Sequence, residues 1–559
     1  MAQTPGILYV TMQPSSSLPA AEFHDWYNNE HGPNRLRLPF IKNGFRYRAI
    51  DLNGSSGSDA QPEWMAIYDT PSMDEFNSEA YLALRGSPVQ SQRERDIRPS
   101  VKIDRRSYDL ISTRSSPAFK PLENIENASE GNIVLSALLT PHPDKDAGQI
   151  SKWYEEEHTD MITKVPGWLR TRRFVTAKID GKDTVDYLAL HEFSPSQWKG
   201  LDIPEFKAAT TTPWAKDIMT NVIKDRTMRI YELFYNFGAA PRDIGSFISA
   251  GRKPWDNPPT KTRTIPSGSN GGAVESYITT KDGVDIPYRI ESNTTDPNAP
   301  LIVLCNSILV EWGIWDKFVD SFLSKSKSGF RVLRYHTRGR YNNLSKTPVT
   351  VDLLASDIIA LLDELKVPKA ALAMGVSLGG ATVLNAALNY PDRIGAFASC
   401  DTNDKSPAGN SKAWTDRIAI AEKENASAAD DSNTKIVGDE LAEVTVRRWF
   451  VKESYDGAEM EKECERVKDM VVRNSLEGFK GSVRALWEYD MQPLMKGAKV
   501  KGLFVAGSGD GVLPKTMKDM AERYGSSGTE CVIIEGAGHL PMVEKPEDVA
   551  AVAIKALAL

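Results

Sequence analysis

The sequence predicts two fold classes in one chain, an antiparallel α+β region followed by an α/β region built on a parallel sheet. Three observations carry this. A set of motifs recurs within the first 237 residues. A stretch rich in Pro, Gly and Ser interrupts the chain at 238–272. Beyond it, short apolar runs alternate with helical periodicities, as in a parallel sheet wrapped by helices. At 559 residues the chain is also longer than one hydrophobic core fills, so at least two domains are expected.

Four blocks make up the repeat. Phe23-His24-Asp25-Trp26-Tyr27-Asn28-Asn29-Glu30-His31 returns as Ile150-Ser151-Lys152-Trp153-Tyr154-Glu155-Glu156-Glu157-His158, with Trp, Tyr, Glu and His in the same relative places. Gly44–Arg48 is answered by Gly167–Arg172, Glu63–Tyr68 by Asp186–His191, and Tyr108–Leu110 by Tyr231–Leu233. One matched tetrad arises by chance, whereas four in order point to a duplication. Each copy reads as strand, helix, strand, strand, helix, strand, the ferredoxin-like or split-βαβ unit. Residues 6–12 and 131–139 are aliphatic or β-branched runs, the W-Y-x-x-E-H segments have helical spacing, and the blocks around Ala66 and Ala189 alternate as strands do. Such a unit leaves one sheet face bare, so two copies are expected to pack face to face.

The D-W-Y-x-x-E-H-x-P stretch at 25–33 resembles the EthD-type branch of the dimeric α+β barrel family. The second copy has Thr159-Asp160 where the first has Gly32-Pro33. The resemblance implies an α+β barrel of two ferredoxin-type units, 1–111 and 130–237, joined by a polar linker at about 112–130. Two roles stay open for it. His31 or His158, with Glu30 or Glu157, would form a second site for proton transfer on a polyketide-like or phenolic substrate. Alternatively, Trp26 and Trp153 are core, and the barrel serves docking or homo-oligomerisation.

Residues 238–272, with Pro241, Pro254, Pro258, Pro259, Pro266 and the run Ser267-Gly268-Ser269-Asn270-Gly271-Gly272, read as a flexible linker. Bulk properties exclude several functions. The net charge of −7 and the lack of a dense basic block speak against a nucleic-acid partner. No run approaches the ~20 apolar residues that span a bilayer, and the first residues do not read as a secretory leader. The four cysteines are isolated, which suits a reducing, cytoplasmic setting and argues against a zinc site or disulfide framework.

The α/β region occupies 273–559. Ser276–Thr280 and Val284–Ile290 flank Asp282-Gly283, a hairpin signal. Leu301–Cys305 is continuously apolar, as a strand buried on both faces is. Phe330–Tyr335 is a further strand and 351–365 a helix. Ala370–Met374 then runs into Gly375-Val376-Ser377-Leu378-Gly379-Gly380 and a helix from Ala381 to Tyr390. Strand, G-x-S-x-G, helix is the arrangement that exposes a nucleophilic serine on a strained elbow.

A serine hydroxyl needs a base and an orienting acid, met in this arrangement in the order Ser, acid, His. The region holds two histidines, His336 and His539. His539 follows the strand Val532–Ile534 in a Gly-rich loop, ahead of the last helix (547–557). The preceding strand, Gly502–Ala506, leads to Gly507–Pro514, where Asp510 is the sole carboxylate. The expected triad is therefore Ser377, Asp510 and His539. The backbone N–H of Leu378 and, by position, that of Ile308 would hold the oxyanion.

These motifs identify an α/β-hydrolase fold, and finer ones resemble 3-oxoadipate enol-lactonases. Cys305–Asp316 is similar to their N-S-L-G…W-D block, and Arg334–Arg340 to R-Y-D-x-R-G-x-G, with His336 replacing Asp. Residues 404–495 look like that family's helical cap, around Trp414–Ile418, Arg447–Phe450 and Asn474–Phe479. A polar stretch inside it, Asn425 to Asn433, reads as an insertion or mobile lid. The resemblance implies hydrolysis of a small-molecule ester or lactone without metal or organic cofactor. Asn306, Trp414, Trp449 and Arg448 would contact the substrate, although Asn306 is also readable as a turn residue and Trp449 as core. His336 is readable as a surface hydrogen-bonding group. The alternatives are a non-hydrolytic acyl-transfer, cyclising or C–C-cleaving enzyme, and a ligand-binding protein with an inactive triad.

Overall fold

The computed structural model describes residues 4–52, 57–124, 131–180, 185–326, 329–341 and 343–559. They divide into two units, Met1–Pro241 and Arg242–Leu559.

The first unit is a closed barrel of eight antiparallel strands. These are β1 (Gly6–Pro14), β2 (Asn43–Ala49), β3 (Trp64–Thr70), β4 (Val101–Ser115), β5 (Ile133–Pro141), β6 (Trp168–Thr176), β7 (Tyr187–Phe193) and β8 (Ile223–Asn236), in the order β1-β3-β2-β8-β5-β7-β6-β4. The sheets of the β1–β4 and β5–β8 halves join at two seams, β2 with β8 and β4 with β6, so no open edge remains. Alternation along β1 sorts its side chains. Ile7 and Tyr9 share the interior cluster with Phe45, Tyr47 and Ile67, whereas Leu8, Val10 and Met12 pack under Phe23, Trp26 and Tyr27 of the outer helix. Across the interior, Tyr9 Oη and Ser136 Oγ hydrogen-bond at 3.0 Å. In both halves the first helix widens into a π-helical turn, Tyr27–His31 and Tyr154–His158. Such turns are rare and cluster at functional sites.

Of the linker expected at 238–272, the residues from Arg242 onward are instead folded into the second unit. Ile244–Ser249 is helical, and β9 (Trp255–Asn257) and β10 (Thr262–Ser267) extend the second sheet. The Gly-Ser run turns the chain into β11 (Gly271–Thr279), with Pro266 opposite Gly272. The prolines sit where no N–H is needed. Pro258 and Pro259 open a 3₁₀ turn, and Pro266 lies beyond the Thr262–Thr264 pairing with β9. The shorter linker at 112–130 is strand as far as Ser115, and 125–130 lie outside the described residues.

The second sheet continues through β12 (Asp285–Ser292), β13 (Leu301–Cys305), β14 (Arg331–Tyr335), β15 (Leu372–Val376), β16 (Ala396–Cys400), β17 (Lys501–Gly507) and β18 (Cys531–Ile534). Its order is β18-β17-β16-β15-β13-β14-β12-β11-β10-β9. The strands from β14 to β18 are parallel to one another, and β9–β12 form an antiparallel extension. All residues of β13, β15 and β16 are buried, each large aliphatic contributing roughly 1.5–3 kcal/mol of burial. Between β16 and β17 lie the helices Asn410–Glu424, Asp439–Trp449, Ala458–Val472 and Leu476–Ser482. The polar stretch after Asn425 is turned back on itself: Ser427 bridges Lys435, and Thr434 Oγ1 donates to Asp431 Oδ2 at 2.6 Å. Among the described residues no helix is long and apolar enough to cross a membrane.

Candidate active site

The parallel strands deliver their C-terminal ends to one edge of the sheet, and the predicted triad residues lie on loops along it. Ser377 follows β15 directly and caps the helix Leu378–Asn389 with φ +57° and ψ −117°, a strained conformation for a residue with a Cβ. Its N–H donates to Cys400 O at 2.9 Å, fastening the turn to the end of β16. The turn demands glycine, since a Cβ on Gly379 would lie 2.3 Å from Cys305 O. Leu378 opens the helix, so its N–H is among those without an intrahelical partner. Ile308 is buried in the loop after β13, beside Leu309 at φ +70°.

Asp510 lies just beyond β17 and His539 beyond β18. The structure brings them together, His539 Nδ1 and Asp510 Oδ2 standing 2.7 Å apart. The histidine is also held through its backbone. His539 N–H donates to Trp449 O at 2.7 Å, and a Cβ on Gly538 would lie 2.3 Å from that oxygen. The Trp449 ring stacks on the imidazole at 5.9 Å. Trp449 is thus buried, as a core residue is, and supports the histidine. Glu544 completes the clamp by accepting from Gly538 N, Val451 N and Ser454 Oγ at 2.5, 3.0 and 2.6 Å. Burial raises its carboxyl above the ordinary range.

Asp401, at the end of β16, is a group the sequence did not single out. It is 1% exposed, has φ +44°, and accepts from Gly507 N at 2.9 Å. Burial, and then the adjacent Asp510 carboxylate, push its carboxyl well above the usual range. Its second carboxylate oxygen, Oδ2, is buried and has no hydrogen-bond partner among the described residues. Its only sequence trace was the polar block after a buried strand.

Other expected contacts fall elsewhere. Asn306 binds neighbouring structure, with Nδ2 donating to Tyr335 O at 2.7 Å and Oδ1 accepting from Trp315 Nε1 at 3.0 Å. These are bonds of the kind a turn residue makes. His336 is buried, not on the surface. It stacks on Trp312 at 3.8 Å, and burial, then Arg340 and Arg334, lower it to about 3. Trp414 is mostly buried, with the Arg417 guanidinium 4.5 Å over its ring. Desolvation and then Arg448 lower Arg417 to about 10, and Arg448 is lowered by desolvation, offset by Asp510. The two cap arginines therefore lie close to each other, with Arg448 near Asp510.

The barrel histidines belong to the first unit. His31 contacts Glu94 Oε1 at 3.1 Å rather than Glu30, and burial and Arg35 outweigh Glu94 to leave it at about 4. His158 contacts Ala209 O at 3.0 Å rather than Glu157, whose Oε1 accepts from Trp153 Nε1 and Thr212 Oγ1 at 3.2 and 2.6 Å.

Comparison with known proteins agrees with the second unit's architecture. Residues 300–546 match the family described as alpha/beta hydrolase fold. The chain is 28% identical over 255 residues to 3-oxoadipate enol-lactonase 2 of Acinetobacter baylyi, covering 44% of this chain and 85% of that one. It is 26% identical over 271 residues to 3-oxoadipate enol-lactonase 1 of the same organism, covering 48% and 92%. The crystal structure of the enol-lactonase from Burkholderia xenovorans is matched at 26% identity and a TM-score of 0.44, over 51% of this chain and 100% of that one. The second unit has the alpha/beta hydrolase fold, and that fold with these relatives supports a hydrolase.

Proposed function

We propose that the chain hydrolyses a carboxylic ester or lactone through Ser377, His539 and Asp510. The observation that carries this is the 2.7 Å His539–Asp510 contact, on the sheet edge where Ser377 occupies its strained turn. With Nδ1–H donated to Asp510, the imidazole keeps its lone pair on Nε2 for the serine proton. Ser377 Oγ attacks the carbonyl carbon, the proton passes to His539, and the Leu378 and Ile308 N–H groups stabilise the oxyanion. His539 returns the proton to the leaving oxygen. Water, activated by the same imidazole, then releases the acyl group and regenerates the serine.

The enol-lactonase relatives favour an enol-lactone or similar small ester as substrate. Among the described residues neither Arg417 nor Arg448 forms an ion pair with a carboxylate, and their mutual repulsion suits a substrate bearing one, with the Trp414 face beside them. The barrel we read as two EthD-like ferredoxin-type units, on the repeated βαββαβ order and the matched π-helical turns. The test is a panel of enol-lactones, aryl esters and thioesters offered to wild type and Ser377→Ala. Turnover by wild type alone supports the reading. Turnover that survives Ser377→Ala, or none across the panel, contradicts it.

A further inference from the structure

The two halves of the barrel pack the same site differently. Between sheet and helices, the β1–β4 half leaves only about 60 Å³, whereas the β5–β8 half leaves about 380 Å³. Matching positions explain the difference. Tyr27 and His31 on the first π-helical turn correspond to Tyr154 and His158 on the second. In the sheet, Val10 and Tyr68 line the first space where Ala137 and His191 line the second.

The first half satisfies itself. Tyr27 Oη and Tyr68 Oη hydrogen-bond at 3.2 Å, and His31 is tied to Glu94 at 3.1 Å. In the second half both changes are to smaller side chains, and no carboxylate lines the space. His158 gives Nδ1–H to Ala209 O at 3.0 Å, which leaves the lone pair on Nε2. His191 Nδ1 pairs with Thr171 Oγ1 at 3.0 Å. Tyr154, His158 and His191 cluster on one side, with ring centroids 4.9 to 6.2 Å apart, and the remaining wall is largely aliphatic and aromatic. Burial holds His158 near 4 and His191 near 3, so both are neutral around pH 7.

We propose that this cavity is a binding site for an uncharged, flat aromatic molecule carrying a hydroxyl or carbonyl oxygen, hydrogen-bonded by Tyr154, His158 and His191. Its volume lies within the range of small-molecule pockets, and apolar walls with a few convergent polar groups are their usual make-up. Among the described lining residues Arg226 alone carries a permanent charge and it is exposed, so the buried lining around His158 and His191 offers no counter-charge, and burying an ion without one is costly. The first half is the same frame with its cavity filled by the protein itself.

The test is isothermal titration of the full chain with 2-naphthol. Wild type and Ser377→Ala are expected to bind it saturably and equally. The double variant Ala137→Val/His191→Tyr, which installs the packing of the β1–β4 half, is expected to weaken binding at least tenfold while ester hydrolysis is unchanged. Tyr154→Phe, which removes one hydroxyl and no volume, is expected to weaken it severalfold and decides the matter should the double variant misfold. Absence of saturable binding by wild type overturns the proposal, as does affinity left intact by the double variant or, where that variant misfolds, by Tyr154→Phe.

Discussion

The hydrolase-fold unit and the barrel take imidazoles out of water in opposite company. His539 stands 2.7 Å from the Asp510 carboxylate, under the ring of Trp449. His158 and His191 stand among aromatic rings, hydrogen-bonded to a carbonyl and a hydroxyl. A carboxylate partner stabilises the imidazolium that a base must briefly become, whereas burial beside only a carbonyl and a hydroxyl favours the neutral ring. The first setting suits proton transfer from a serine; the second suits hydrogen bonding to a neutral ligand.

The comparison breaks most visibly at the nucleophile. Ser377→Ala should lower kcat for any ester the wild type cleaves by about 10⁴- to 10⁶-fold, as removal of a triad serine does, with substrate affinity preserved. Next, Asp510→Asn keeps the shape of the acid but removes the charge that favours imidazolium. Steady-state kinetics should register a loss of about 10⁴-fold in kcat.

Asp401 sharpens the distinction between a carboxylate and a carboxylic acid. Burial and the Asp510 carboxylate raise its carboxyl, so ionising it costs stability as the pH rises above the ordinary carboxylate range. Asp401→Asn retains an acceptor for Gly507 N without that cost. It should hold activity and melt no lower than wild type at pH 7. Asp401→Ala strands the Gly507 N–H and should lose about 1–3 kcal/mol of stability, with a measurable fall in kcat.

The smallest effect concerns pH. His24, His158 and His191 have folded values lowered to about 3, about 4 and about 3 from 6.5, so the unfolded state binds more protons between these limits. Stability they contribute is complete above pH 6.5 and is lost as the pH falls towards 4. Thermal melts from pH 7 to pH 4 should show the midpoint falling, and His191→Gln should flatten that slope.

How much of this was legible in the sequence depended on range. Ser377, Asp510 and His539 could be proposed from the sequence because each is a local signal, a Gly-rich or polar loop at the end of an apolar strand. Strand β13 and the helix Val351–Glu364 were readable from continuous apolarity and periodicity. The role of Trp449 was not, because its bond to His539 crosses from the cap to the last loop. Asp401 reads as an ordinary polar residue until adjacent β16 and β17 place it against Asp510. Residues 242–272 misled because Pro and Gly mark edge strands and tight turns as readily as spacers. The open cavity was hidden because Val10 against Ala137, and Tyr68 against His191, look like drift in a repeat until their volumes are compared in place.

The central claim is that Ser377 is an activated nucleophile. A fluorophosphonate offered to the folded chain at neutral pH, followed by peptide mapping, tests it most directly. Phosphonylation of Ser377, abolished in Ser377→Ala and slowed in Asp510→Asn, is the predicted result. A chain that is folded yet unlabelled, or labelled at another residue with Ser377 untouched, would contradict it.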